Sequence, residues 1–335
     1  MAKADSEVAG FDPRLIDSRS PAPSEAPVDP EIYDLVDLQS TDWSELNVFI
    51  SECQAREYNP APARAPAPEE RRIVVSDIHG NYRDLYRVLL GSGAINRDGS
   101  RNPGYWVCQI GDLIHGGHEV FTEDAQASLL GPEWVDCQLV GNHDLGFLTN
   151  EIDSYFTGKH DSSELAPGIN RMLQANLRNG HYRAAIGVDG HLISHAGLDL
   201  RLAENNSELK LNDPAELGDQ LDQMFHDRLS RAIGPEPALD WIGEHRGGLK
   251  PTGSIFWCSW PELMQSYRES PKLAEQLAQV VGHTPWAAEP IKQSNCWLTD
   301  TIGKEGAGGK IAALVKNRLD SDWQPLVIER SPRSG

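Results

Sequence analysis

Short apolar runs recur along the chain, and several end in a polar or glycine-rich stretch. Ile73-Val74-Val75 reads as a buried strand by its length and β-branched content, and it ends in Ser76-Asp77-Ile78-His79-Gly80. From Asn81 the pattern turns helical, with Leu85, Val88 and Leu89 on one face. A strand over 105–110 runs into Gly111-Asp112. A helix near 119–130 precedes a strand over 135–140, which runs into Gly141-Asn142-His143-Asp144. The polar stretch 151–164 reads as a surface excursion. A helix over 168–178 leads to a hairpin: Tyr182 to Val188, the turn pair Asp189-Gly190, then His191 to Ser194. That strand ends in His195-Ala196-Gly197. From Leu202 to about Arg246 the pattern is helical and polar, broken by Gly234-Pro235-Glu236-Pro237. Strands return at 279–281, 296–299, 311–315 and 326–328, and the first of these ends in Gly282-His283-Thr284-Pro285. Strands alternating with helices predict the α/β class.

Residues 1–70 have a different composition. Pro21 to Pro30 and Pro60 to Pro68 are rich in proline and alanine, which predicts extended or disordered chain. Between them, Asp42 with Glu45 forms a capping-box pattern, and Leu46, Phe49, Ile50 and Cys53 follow at helical spacing. The segment is therefore expected to be largely disordered, with a short helix at 42–57. That helix either docks on the body or serves as bait for a protein partner. A linker at Pro60–Pro68 further predicts that residues 1–68 can be removed and leave a folded body.

Charge and cysteine content narrow the partners. The formal charge of −20 and sequence pI near 4.9 argue against a general affinity for nucleic acid or anionic membranes. No apolar run approaches the roughly 18 residues that span a bilayer. The five cysteines form no Cys-x-x-Cys pair, and Met1 to Phe11 has no charged-then-apolar leader pattern, so a reducing, cytoplasmic location is expected.

Asp77 and His79, two residues apart at a strand's carboxyl end, can reach one cleft, but Asp-x-His alone is a weak metal signal. The ordered set is more specific: Asp77-x-His79, Gly111-Asp112, Gly141-Asn142-His143-Asp144, His195-Ala196-Gly197 and Gly282-His283. With it the chain resembles the calcineurin-like metallophosphoesterases over roughly residues 71–329. It is most similar to the phosphoprotein-phosphatase branch and its bacterial relatives, among them the symmetrical dinucleoside-tetraphosphate hydrolases. Asp300-Thr301-Ile302-Gly303 with Gly308 to Leu314 resembles that branch's closing segment. The resemblance implies two mixed β-sheets packed as a sandwich and flanked by helices, a four-layer fold. The catalytic domain would span 71–330, with a helical cap insertion at about 202–250.

Carried over residue by residue, the resemblance gives one divalent metal to Asp77, His79 and Asp112. It gives a second to Asp112, Asn142, His195 and His283, with Asp112 bridging. Such a pair clamps a phosphoryl group and makes hydroxide available near neutral pH. Mixed carboxylate, amide and imidazole donors suit Mn, Fe or Zn better than Ca, and Mn is the ion expected first. His143 is implied as the group that protonates the leaving oxygen or supports the transition state. Asp144, at a helix start, is expected to cap backbone N–H groups. His115, His118, His160, His181, His191, His226 and His245 match no ligand position. Gly303 to Gly309 reads as a hairpin loop.

Three departures stand out. His115 and Gly116 occupy the places of the Asp and Arg in the branch's GDxxDRG pattern, and Leu139-Val140 replaces the arginine before Gly-Asn-His. Trp257-Cys258-Ser259-Trp260 also lacks an arginine that some relatives carry. Arg246, Lys250 and Arg171 are the candidate substitutes. The reading is therefore a metal-dependent phosphoesterase acting on a phosphate monoester. The alternatives are a nucleotide-anhydride hydrolase of the dinucleoside-polyphosphate type and, in another class, a catalytically weak phospho-ligand-binding regulatory module. The expected partner is a phosphorylated substrate: a phosphoprotein, a small phosphate ester or a nucleotide.

Overall fold

Two mixed sheets face each other in the computed structural model. It describes residues 43–55, 59–80, 82–113, 130–149, 167–204, 206, 208–286, 289–301, 310–318 and 320–329. All of these fall within one compact unit, Val36–Gly335. The expectations at Pro21–Pro30, Asp42, the helix near 119–130, the stretch 151–164 and the loop Gly303–Gly309 lie outside the described residues, as do His115, His118 and His160.

The first sheet is built on β1 (Arg71–Val75), β2 (Tyr105–Gln109), β3 (Cys137–Leu139) and β4 (Tyr182–Arg183), all parallel in that order. The second contains β5 (Ala185–Val188), β6 (His191–Ser194), β7 (Ala278–Val281), β8 (Ile291–Gln293) and β9 (Cys296–Leu298), in the order β5-β6-β7-β9-β8. Here β6, β7 and β9 run parallel. β10 (Lys310–Lys316) pairs antiparallel with β1, and β11 (Gln324–Glu329) with β10, which completes the first sheet.

The apolar run at 73–75 is continuous because β1 is buried on both faces. Val74 packs into the layer between the sheets, with Trp106, Cys108, Leu139, Ile193 and Val280. Ile73 and Val75 point the other way, into the core shared with the helix Tyr82–Gly91, where Leu85, Val88 and Leu89 are buried as their spacing predicts. On the second sheet, the helix Pro214–Leu229 lies against β5 and β6 through Leu217, Leu221 and Phe225. Asp213 caps it by accepting from Ala215 N and Glu216 N, both at 3.1 Å.

The expected strand Tyr182–Val188 is two strands in different sheets. Tyr182–Arg183 pairs with β3, whereas Ala185–Val188 pairs with β6. The break at Ala184 is held by a side chain: its N–H donates to Asp222 Oδ1 at 2.8 Å, and Arg183 pairs with Asp219 and Asp222. The turn after β5 has φ of 48° at Asp189 and 79° at Gly190, the positive values that its Asp-Gly pair predicts.

The stretch Pro60–Pro68 is extended, but it is bonded to the body, unlike the free linker that its composition suggests. Ala63 N donates to Gly180 O at 2.8 Å, Arg64 N to Asp136 O at 3.1 Å, and the buried Trp106 Nε1 to Arg64 O at 2.8 Å. Arg64 also grips Glu70 and Asp136 with its guanidinium. Before it, the helix Trp43–Ala55 buries Leu46 and Cys53 and stacks Phe49 on Trp134 at 5.9 Å between ring centroids.

Candidate active site

Parallel strands deliver the polar residues to one place. Asp77 and Asp112 follow β1 and β2, and Asn142 opens the helix Asn142–Thr149 after β3. His195, His283 and Asp300 follow β6, β7 and β9 of the other sheet. In open α/β sheets, the carboxyl ends of parallel strands are where ligands bind, because the loops there are free to vary. Here the two sheets contribute to a single cluster. His195 Nε2 lies 2.9 Å from Asn142 Oδ1 and 3.1 Å from His283 Nδ1, and 3.6 Å from Asp112 Oδ1.

Backbone strain is concentrated at this point. His79, Asp112 and His283 have φ of 49°, 51° and 66°. Left-handed non-glycine residues cost about 1–3 kcal/mol each and persist where the surroundings over-determine them. The loops supply that constraint. Ile78 N and His79 N both donate to Asp112 O, and His283 N donates to Asp77 Oδ2 at 2.9 Å. His143 N donates to Asp112 Oδ1, also at 2.9 Å. Asp144 accepts from Leu113 N at 3.1 Å and Gly141 N at 3.0 Å, so its carboxylate ties two motif loops together while closing the start of its own helix.

The glycine before Asn142 is required by close approach. A Cβ on Gly141 would collide with the Asp112 carboxylate and backbone N. Gly141→Ala is therefore expected to displace Asp112. Overpacking typically costs about 1–3 kcal/mol, so its thermal midpoint should fall by several degrees, with a loss of turnover out of proportion to that change. An unchanged midpoint and turnover would show that the Asp112 loop has room to yield.

Among the described residues, two groups of donor atoms could hold a metal ion: His79, Asp112 and His143, and Asp112, His195 and His283. Asp112 belongs to both. Asn142 joins the second through its 2.9 Å approach to His195, and Asp77 lies beside it, with Oδ1 3.8 Å from His195 Nδ1. All six residues expected as ligands are thus brought together, with His143 among them.

The donors fit a cation better than they fit one another. His195 Nδ1 donates to Ile110 O at 3.0 Å, so Nε2 turns its lone pair toward Asn142 Oδ1, itself an acceptor. His283 Nε2 is buried with no hydrogen-bond partner among the described residues. Burial, with His79 and Arg246 nearby, pushes His195 down to about 3. Burial also pushes His283 down, with His195, Arg246, His143 and His79 adding to the effect. Burial pushes the Asp77 carboxyl well up, reinforced by Asp300 and Asp112. It does the same to Asp112, with Asp144 and Asp300 adding to it. Neutral imidazoles and crowded buried carboxyls are the arrangement that a divalent ion reverses by supplying the missing positive charge.

The three candidate cations differ in placement. Arg246 donates through Nη2 to His283 O at 3.0 Å and Thr284 Oγ1 at 3.1 Å. Lys250 is exposed and lies over the Trp241 ring at 5.3 Å. Arg171 falls in the helix Pro167–Arg178, and its side chain lies outside the described residues. Asp300 enters the sequence pattern only as the start of a closing segment. It is buried, and its charge acts on Asp77, Asp112 and Arg246. Its sequence signal is that it follows a strand, as the other site residues do. His181 and His191, which match no ligand position, bond the backbone at Ala61 O and Asp189 O. Among the described residues, no helix is long and apolar enough to cross a membrane.

No curated protein sequence matches the chain. Its fold is similar to a cold-active protein-tyrosine phosphatase of a psychrophilic Shewanella, at 16% identity and a TM-score of 0.47, covering 79% of this chain and 78% of that one. It is also similar to a protein serine/threonine phosphatase from Saccharomyces cerevisiae, at 12% identity and a TM-score of 0.48, covering 86% and 89%. A third likeness is to a putative diadenosine tetraphosphatase, at 14% identity and a TM-score of 0.44, covering 82% and 99%. The model of the calcineurin-like phosphoesterase family matches residues 71–287, which is more than half the chain and takes in every strand-end residue of the cluster but Asp300. The chain belongs to that metal-dependent family, and it is a phosphoesterase, a hydrolase of phosphoric ester or anhydride bonds.

Proposed function

We propose that this protein hydrolyses a phosphate monoester with two divalent metal ions, manganese first among them. Asp77, His79 and Asp112 would hold one ion. Asp112, Asn142, His195 and His283 would hold the other. The observation that carries the reading is Asp112, a buried carboxylate common to both donor groups and fixed at Oδ1 by the His143 N–H. When bound, the ions supply a Lewis acid for the phosphoryl oxygens and a water of lowered pKa. The chain's own residues then orient and protonate. His143 is partly exposed, and its Nε2 lies 3.7 Å from Asp112 Oδ2, a position from which it can face a leaving oxygen.

Two measurements test this. The first is turnover of an aryl monoester, an aryl diester, a phosphopeptide and a dinucleoside polyphosphate with added manganese. A monoester or phosphopeptide should be preferred. A preference for the dinucleoside polyphosphate would replace this reading with anhydride hydrolysis, and no turnover of any substrate would leave a phospho-ligand binder. His143→Asn should lower turnover by about 10²–10⁴-fold while retaining metal. The second is thermal unfolding with and without metal. Saturating manganese should raise the midpoint by several degrees, because ions that bind the folded state alone stabilise it. An unmoved midpoint would count against ions held by these residues.

A further inference from the structure

We propose that Arg246 grips the substrate's phosphoryl group and makes the site selective for a terminal, doubly charged phosphate over a diester. The inference rests on the phosphoesterase reading above and assigns it a binding residue that no strand-end motif contains.

Arg246 is held rigidly. It ends a single helical turn, Glu244–Arg246, that Gly247 closes with φ of 78°. Glu244 N donates to Lys250 O, and Gly248 N to Gly243 O, both at 3.0 Å, so the loop is pinned at both ends. The guanidinium turns inward, to the loop that carries His283. Thr284 Oγ1 accepts from Arg246 Nη2 at 3.1 Å and from Trp260 N at 3.0 Å, which anchors that loop to the start of the helix Trp260–Glu269. A guanidinium has five donors in a planar fork, so it can keep this anchor while another edge faces a phosphate oxygen.

Its field covers the cluster. Asp300, Glu262, Asp112 and Asp77 all act on the Arg246 charge, and it acts in turn on His195 and His283. Arg246 is hydrogen-bonded to the loop that carries His283, whereas Lys250 lies over the Trp241 ring. The motif positions that elsewhere could offer a cation carry Gly116, Val140 and Ser259. A fixed guanidinium beside the donor cluster favours a phosphoryl group with two or more charged oxygens, because bidentate, charge-assisted bonds need both. A diester has one charge fewer and a second substituent where the fork would lie.

The test compares Arg246→Ala and Arg246→Lys with the unaltered full-length, manganese-loaded protein. Metal content is measured first, then inorganic phosphate binding by calorimetry, then kcat and KM on one aryl monoester and one aryl diester. We expect full metal content in both variants. Arg246→Ala should lose roughly 10- to 100-fold in phosphate affinity, the size of one charge-assisted contact, with a comparable rise in monoester KM. Its monoester-to-diester preference should fall by a similar factor. Arg246→Lys should recover part of each. Unchanged phosphate affinity and preference at full metal content would overturn the assignment and leave the phosphoesterase reading intact. Loss of metal in Arg246→Ala would also overturn it, reducing Arg246 to a strut for the His283 loop. Failure of the unaltered protein to hydrolyse either ester would instead sink the underlying reading, and the calorimetry would still decide whether Arg246 binds phosphate.

Discussion

Asp112→Asn is expected to abolish metal-dependent turnover while leaving the fold in place. The side chain is buried at the meeting point of the two donor groups, so the substitution alters both at once. Asparagine preserves the volume and can still accept the His143 N–H bond made by Oδ1. What it removes is a negative charge. Two divalent ions side by side repel each other strongly at low dielectric, and a shared carboxylate is what offsets that repulsion. Losing even a group that only hydrogen-bonds a ligand costs metal sites about 10–100-fold, so loss of the shared carboxylate should lower turnover by more than roughly 100-fold. Metal content should fall toward one ion or none. Thermal unfolding without metal should be unchanged or slightly improved, because Asp112 is then a buried carboxyl crowded by Asp144 and Asp300, which the amide relieves. A variant that retains unaltered metal content and turnover would show that Asp112 is not shared.

Much of the candidate site could be read in advance because its residues follow one rule. Asp77, Asp112, Asn142, His195 and His283 each follow an apolar strand at its carboxyl end, and their neighbouring glycines mark close approach. The strand at Ile73–Val75 was legible for a related reason, since burial on both faces leaves an unbroken apolar run. What escaped depends on contacts distant in sequence. Nothing local separates Tyr182–Arg183 from Ala185–Val188; the switch between sheets rests on Asp222, almost forty residues later. The strand Ile291–Gln293 is largely exposed and carries no periodic signal. Arg246 is one of three candidate cations in the sequence and Asp300 only part of a segment pattern, and nothing local ranks either among 30 basic and 50 acidic residues; the fold does. The stretch Pro60–Pro68 has a linker's composition because proline and alanine make few contacts of their own. Its partners, Gly180, Asp136 and Trp106, come from the body.

That stretch gives the second large effect. Removing residues 1–68 is expected to destabilise the catalytic body rather than trim it. The helix Trp43–Ala55 buries Leu46 completely, and full burial of such a side chain is worth about 1.5–3 kcal/mol. The Phe49–Trp134 stack adds about 0.5–1.5 kcal/mol. Deleting the strap would leave the buried Trp106 Nε1 without its acceptor, and Asp136 would lose one of its two arginines, keeping Arg101. A buried donor left unsatisfied costs about 1–3 kcal/mol. Together these losses approach roughly 5 kcal/mol, a large part of the 5–15 kcal/mol that holds a typical domain together. The expected drop in thermal midpoint is on the order of 10 °C. Removing only residues 1–57 separates the two contributions, since it takes the helix and leaves the strap. Its midpoint should fall between those of the full chain and the longer deletion. A longer deletion that unfolds at the full-length midpoint, with the same cooperativity, would show that neither the helix nor the strap belongs to the core.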